Sequence, residues 1–287
     1  IQAKAENKFT PTADVIFSYF RDHTVLSLCS PPNPTGRTSR IEELEAICDL
    51  VLEENIRRGD TEKKLYVMYD QMYWHLTYGD IQHYDPVSLR PAMRDYTIYI
   101  DAISKVFAAT GVRVGWGMGP ATVISKMKAI LTHIGAWAPM AEQKAVAFFL
   151  GQKDAIKKYL AGFKTEIEER LRRIYDGFMQ LKAEGLPVDA IAPEAAIYLT
   201  IKIDLAGKKT RDAHLPDGQG KLLGDQGAVT AYILNTAGLA VVPFYAFGTD
   251  RSSAWYRLSV GTCKKEEIEE MIGKLRSALQ QLVHMPA

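Results

Sequence analysis

Three short apolar runs, "TVLSLCS" (24–30), "LYVMYD" (65–70) and "YTIYIDAIS" (96–104), each stop at polar or turn-forming residues. Helical patterns separate them. Strands that alternate with helices pair in parallel, because each crossover returns over one face of the sheet. That feature restricts the first half of the chain to an α/β layer. A fourth strand is expected at "RVGWGM" (113–118). The first run ends in "PPNPTG", where the prolines remove backbone donors and fix φ, and Gly36 permits an unusual dihedral. Ser39 with Glu42 then predicts a capping box, and Ile41, Leu44, Ile47, Val51 and Leu52 an apolar stripe on the helix that follows. Residues 55–64, "NIRRGDTEKK", read as a loop.

From about residue 121 the pattern is helical, with a long amphipathic run to residue 184 that Gly151 and Gly162 are expected to interrupt. Past "EGLP" the texture changes. "AAIYLTIKID" (195–204) alternates like a half-buried strand, and 205–224 is a polar loop read as a lid. "QGAVTAYILNTAG" is helical, "LAVVPFYAFG" and "WYRLSVG" are short strands, and an amphipathic helix follows. The expected division is an α/β unit over 1–160 and an α+β unit over 161–287, joined by long helices.

Composition narrows the function. The 35 basic and 34 acidic residues nearly balance, which favours neither nucleic acid nor a membrane surface as partner. No apolar run approaches the roughly 18 residues of a spanning helix. Three cysteines (Cys29, Cys48, Cys263) without CxxC spacing argue against a disulfide framework or zinc site and fit a reducing cytosol. His75, His83, His133 and His214 lack metal-ligand spacing.

Open α/β sheets bind ligands at the carboxyl ends of their strands. Asn33 follows the first strand, Asp70 closes the second with Tyr73 just beyond, and Lys105 follows the third. Taken singly, each has an ordinary structural reading: a snorkelling lysine, a turn aspartate, a core tyrosine. Together they suit pyridoxal phosphate, which needs an amine for a Schiff base, a carboxylate against its pyridine nitrogen and donors at its phenolic oxygen. An arginine among small residues, as at Arg113, suits a phosphate.

In order along the chain, "SPPNPTG" (30–36), "YDQMY" (69–73), "SKVFAATGVRVGW" (104–116), "VPFYAFG" (242–248) and "YRLSVG" (256–261) resemble the motifs of class I/II aminotransferases of the aspartate-aminotransferase type. The resemblance implies the fold-type I pyridoxal phosphate architecture: a mostly parallel sheet in a large domain, shortened here, plus a small α+β domain. It implies Lys105 as the Schiff-base lysine and Asp70 as partner of the pyridine nitrogen. Asn33 and Tyr73 would face the phenolic oxygen, Ser104 and Arg113 the phosphate, and Arg257 the substrate α-carboxylate, with Asn33 beside it. The implied reaction moves an amino group from an aspartate-like or broader set of amino acids to a 2-oxo acid such as 2-oxoglutarate, in a cytoplasmic homodimer. A C–S β-lyase, or a non-catalytic ligand-sensing domain, are the alternatives. Two departures stand out. Ala102 occupies a position where the family often has a phosphate-binding hydroxyl, and only 32 residues precede Asn33. The family's phosphate loop and ring-stacking aromatic, which belong further upstream, are therefore not expected in this chain.

Overall fold

The computed structural model describes residues 5–7, 9–211 and 219–283. His214 and the middle of the loop read as a lid lie outside the described residues. The first layer comprises α1 (Ala13–Phe17), β1 (Val25–Cys29), α2 (Ile41–Arg58), β2 (Tyr66–Asp70), α3 (Pro86–Leu89), β3 (Thr97–Ala102) and β4 (Gly115–Met118). The strands lie in the order β1-β2-β3-β4. β1, β2 and β3 run parallel and β4 antiparallel, so the sheet is mostly parallel, as expected. β4 reverses because only turns and one short 3₁₀ segment, with no crossover helix, separate it from β3.

Leu44, Ile47, Cys48 and Val51 of α2 are buried with Val67 and Tyr69 of β2 in one core. Each large aliphatic side chain buried there contributes about 1.5–3 kcal/mol. Two local expectations fail. α2 begins after Arg40, which gives no side-chain cap, and the capping box of Ser39 and Glu42 does not form. The Ser39 backbone N–H donates to Ser30 Oγ instead, at 3.4 Å. The helix also continues through "NIRR" to Arg58. Glu54 and Arg58 are both buried and pair at 2.7 Å, one helical turn apart. Arg58 donates further to the carbonyls of Phe20, His23 and Lys63, so these charges join the helix to its surroundings.

Next come α4 (Ala121–Ile134), α5 (Met140–Leu150) and the 31-residue α6 (Lys153–Ala183). Gly151 separates α5 from α6 as expected, but Gly162 does not break α6. A glycine inside a helix costs about 1 kcal/mol relative to alanine. Burial of Ile167, Leu171, Ile174, Phe178 and Leu181 on the same helix outweighs that cost. Among α4 residues none is buried, and Ile130, Ile134, Trp137, Met140 and Phe148 stand at least half exposed. No helix among the described residues is long and apolar enough to cross a membrane.

The second unit holds β5 (Val188–Ala190), β6 (Tyr198–Ile203), β7 (Lys209–Arg211), β8 (Gln219–Leu222), α7 (Gln226–Ala237), β9 (Val242–Pro243), β10 (Trp255–Ser259), α8 (Ile268–Gln280) and β11 (Leu282–Val283). An antiparallel sheet, β5-β6-β10-β9, packs against α6, α7 and α8 through Leu171, Phe178, Leu199, Ile201, Ile233 and Leu275. The described ends of the supposed lid are not free loop: β7 and β8 pair with each other, and β11 adds to β7. "LAVVPFYAFG" forms only the two-residue β9, because a 3₁₀ turn over Phe244–Phe247 takes up the rest.

Candidate active site

Register alone brings the strand-end residues to one rim. Asp70 pairs with Ile100 in parallel, so β2 and β3 end side by side. Ala102 pairs with Gly115 in the antiparallel β3–β4 ladder. Arg113, two residues before Gly115, therefore lies at the same edge as the turn carrying Ser104 and Lys105. Lys105 sits three residues past β3 rather than on it, half-buried beside the half-buried Ser104. Arg113 is exposed, in the left-handed region at φ 60°, with Nη1 donating to the Thr110 carbonyl at 2.8 Å.

Among the described residues, Asp70 is held at one oxygen. Its Oδ1 accepts the Met72 N–H at 3.0 Å, and its backbone carbonyl accepts the Ser30 N–H at 2.9 Å, which ties β2 to the "PPNPTG" turn. Burial, aided by the Asp70 charge, pushes the neighbouring Cys29 thiol up to about 12, so it stays neutral beside the carboxylate. Tyr73 is almost fully buried, and its hydroxyl lies 2.6 Å from that of Tyr198 on β6. Burial raises the Tyr73 phenol above its ordinary range, and at this distance either hydroxyl of the pair can be the donor.

The second unit supplies Arg257 from β10. Its Nη1 donates to Asn33 Oδ1 at 2.7 Å, across 224 positions of sequence. The guanidinium carbon lies 4.8 Å from the Tyr198 ring centroid and 5.1 Å from that of Phe247, a double cation–π seat. Arg257 Nε is buried without a partner in the described structure.

A clamp holds the two units together at this point. Buried Arg37 pairs with Glu194 at 2.6 Å, and Glu194 also accepts the Thr38 N–H at 3.3 Å. The Ala195 N–H donates to the Gly36 carbonyl at 2.8 Å, and Thr200 Oγ1 to the Thr35 carbonyl at 3.1 Å. Tyr78 donates its backbone N–H to Glu194 and its hydroxyl to the Ala196 carbonyl. Backbone carbonyls of Tyr198 and Ala195 come so close to Gly36 that a Cβ there would lie 2.5 and 2.8 Å from them.

The donor set fits pyridoxal phosphate. Among the described contacts Asp70 has one oxygen open, which suits a protonated ring nitrogen, and Asn33, with its oxygen taken by Arg257, has amide N–H groups of the kind a phenolic oxygen needs. Lys105 makes no ion pair among the described residues, which leaves its amine free for a carbonyl. At the Ala102 position no hydroxyl is available, and Trp74 Nε1 instead donates to the preceding, buried Asp101 at 3.0 Å. Burial raises the Asp101 carboxyl above its usual range.

Sequence reading missed Tyr198, Phe247, Arg37 and Glu194. Phe247 falls inside a recognised motif but had no role. The i, i+2 alternation of 195–204 placed Tyr198 on a strand and said nothing of what it would meet.

Comparison with known proteins places these features. The family model for aminotransferase class I and II matches residues 3–275. The chain is 27% identical over 276 residues to a probable aspartate/prephenate aminotransferase of Rickettsia felis, covering 95% of this chain and 61% of that protein. To an aspartate aminotransferase of Bacillus sp. strain YM-2 it is 28% identical over 278 residues, covering 96% and 62%. The crystal structure of an aspartate aminotransferase from Rhizobium meliloti superposes with a TM-score of 0.82 at 25% identity, over 99% of this chain and 65% of that one. An aromatic aminotransferase from Pyrococcus horikoshii gives 0.78 at 28% identity, over 97% and 65%. The chain thus spans about three fifths of the length of the curated relatives it matches. Its fold is that of the aspartate aminotransferases, and the chain belongs to the class I and II aminotransferases.

Proposed function

We propose that this chain carries the catalytic part of a pyridoxal-phosphate-dependent aminotransferase, acting between an amino acid and a 2-oxo acid. Pyridoxal phosphate, when bound, supplies an aldehyde that captures amines and a ring that takes up the electrons of a broken α-bond. Lys105 Nζ would bind that aldehyde and afterwards hold the proton removed from the substrate α-carbon. Asp70 would keep the ring nitrogen protonated through its open oxygen. Asn33 and Tyr73 would donate to the phenolic oxygen, Ser104 and Arg113 to the phosphate. Arg257 would clamp the α-carboxylate and so fix which α-bond stands perpendicular to the ring.

The observation that carries the reading is the Arg257–Asn33 bond at 2.7 Å. It ties the residue proposed for the substrate carboxylate to one proposed for the cofactor, although they lie in different units. The same contact supports dividing the chain near residue 160 by function, even though α6 runs unbroken through that point. An aspartate-like or broad donor range, a homodimeric assembly and a reducing, cytoplasmic setting for the free thiols Cys29, Cys48 and Cys263 belong to this proposal.

Borohydride reduction in the presence of pyridoxal phosphate, followed by peptide mapping, tests it. The label is expected on Lys105, and Lys105→Ala is expected to abolish both label and amino-group exchange. Cofactor trapped on another lysine would end the assignment. Arg257→Ala is expected to raise KM for carboxylate substrates about 100-fold while kcat falls less, since a charged hydrogen-bonded clamp is worth roughly 1.5–3 kcal/mol and more when bidentate.

A further inference from the structure

Tyr73 and Arg257, proposed above for different ligands, meet on one side chain. The Tyr198 hydroxyl lies 2.6 Å from that of Tyr73, and the Arg257 guanidinium sits over the Tyr198 ring at 4.8 Å. Tyr198 is itself 5% exposed, so neither contact is an accident of a loose surface ring.

The hydroxyl pair has a direction that function decides. Each phenol carries one proton and two acceptor lone pairs. If Tyr73 donated to Tyr198, it would have no proton left for any other oxygen. If Tyr198 donates, Tyr73 is held in place as acceptor and its own proton remains free to point outward. Burial keeps the Tyr73 phenol neutral, so that proton is present. The ring of Tyr198 does a second job. With the Phe247 ring also 5.1 Å away, it holds a guanidinium whose Nε has no partner among the described residues and whose Nη1 is already engaged by Asn33. The two jobs use different atoms: the oxygen serves Tyr73 and the π-face serves Arg257.

We propose that Tyr198 is a positioning residue serving both ligands, its hydroxyl directing the Tyr73 proton to the cofactor and its ring seating Arg257 for the substrate carboxylate. This rests on the aminotransferase reading for the identity of the ligands. The division of labour between oxygen and ring does not depend on turnover.

Two variants of the full chain separate the jobs. Tyr198→Phe removes the oxygen and keeps the ring; Tyr198→Leu removes both. Two readouts follow them: the pH midpoint of the bound cofactor's visible absorbance, and calorimetric binding of succinate to the cofactor-free chain as a carboxylate probe. Tyr198→Phe is expected to move the absorbance midpoint upward by about half a pH unit, the size of a lost polarising hydrogen bond. It should bind succinate within twofold of wild type. Tyr198→Leu is expected to weaken succinate about fivefold, the loss of a partly desolvated cation–π contact. Melting temperatures of the three proteins show whether a change is merely structural.

An unshifted midpoint in Tyr198→Phe overturns the role of the oxygen, and unaltered succinate binding in Tyr198→Leu overturns that of the ring. Equal shifts of both readouts in both variants, tracking melting temperature, would make Tyr198 a packing residue only and overturn the proposal. A wild-type chain that labels at Lys105 while the variants behave so sinks this inference alone. Failure of the lysine label sinks the aminotransferase reading, while the succinate comparison still decides the ring's role.

Discussion

Replacing Gly36 with alanine should loosen the join between the two units, and the size of the effect follows from its surroundings. Gly36 has φ +66°, where an L-residue costs about 1–2 kcal/mol. An added Cβ would lie 2.5 Å from the Tyr198 carbonyl oxygen and 2.8 Å from that of Ala195. Both obstacles are backbone, so no rotamer change relieves them. The turn must move off the β6 lead-in, which stretches the Ala195 N–H bond to Gly36 and the Thr200 bond to Thr35. Each lost hydrogen bond is worth about 1 kcal/mol net. The sum is about 3–4 kcal/mol. Gly185→Ala provides the comparison, because Gly185 has φ +81° with nothing within 4 Å of the added Cβ. It should cost only the backbone contribution, about 1 kcal/mol. Urea unfolding of both variants, followed by tryptophan fluorescence, measures the difference from midpoints at a common slope. Gly36→Ala should also weaken pyridoxal phosphate binding, since the same turn carries Asn33, whereas Gly185→Ala should not. Equal destabilisation by the two substitutions would refute the reasoning, because the close carbonyls would then count for nothing.

Two further predictions concern acid stability. Hydrogen bonds from Arg57, then Arg58, hold the Glu54 carboxyl at about 2, below its ordinary 4.5, so its stabilisation is fully present above about 4.5 and lost as pH falls toward 2. Glu54→Gln should lower stability at neutral pH by about 3 kcal/mol, as breaking a buried pair does, and flatten the acid limb in a urea titration series; an unchanged limb would count against it. His83 is half-buried, its two ring nitrogens are shut away from solvent with no hydrogen-bond partner among the described residues, and burial lowers it to about 4 against the attraction of Asp85 and with the added repulsion of His75. The folded state therefore binds fewer protons than the unfolded one between about 6.5 and 4, and stability falls as pH drops through that window. His83→Phe should remove this slope while changing stability at pH 8 by less than about 1 kcal/mol; a persisting slope would assign it elsewhere.

What could be read in the sequence divides by how each residue is placed. The shared rim of Asp70, Lys105 and Arg113 was legible because strand ends are local: once β2, β3 and β4 are located, register carries the end of β2, the turn after β3 and the lead-in to β4 to one edge. Arg257 was legible only through its motif, since no periodicity links it to Asn33 224 positions away. Local patterns also misled. Ser39 and Glu42 have capping-box spacing, yet the Ser39 N–H is drawn to Ser30, and a tertiary contact overrode a local one. "NIRR" looked like loop because charges were weighed by polarity alone. The Glu54–Arg58 spacing of four was a helical signal in plain view, and the ion pair it makes supports the last turn of α2.

The same distinction explains why Tyr198 escaped notice while its two partners did not. Strand edges fix where the backbone ends, and any residue of the right chemistry there becomes a candidate. A residue that acts through others has no chemistry of its own to advertise, and a tyrosine at an inward strand position reads as core. Its role exists only once β6 is pressed against the "PPNPTG" turn, through Gly36, Thr35 and the Arg37–Glu194 pair. Loosening that join should therefore disturb both contacts of Tyr198 together, even where the loosening substitution touches neither Tyr73 nor Arg257. In Gly36→Ala, the absorbance midpoint of bound cofactor and the succinate affinity should move in concert, whereas Tyr198→Phe moves the first alone. Independent movement in Gly36→Ala would mean that the turn and β6 do not set the two contacts jointly, and that some other element seats one of them.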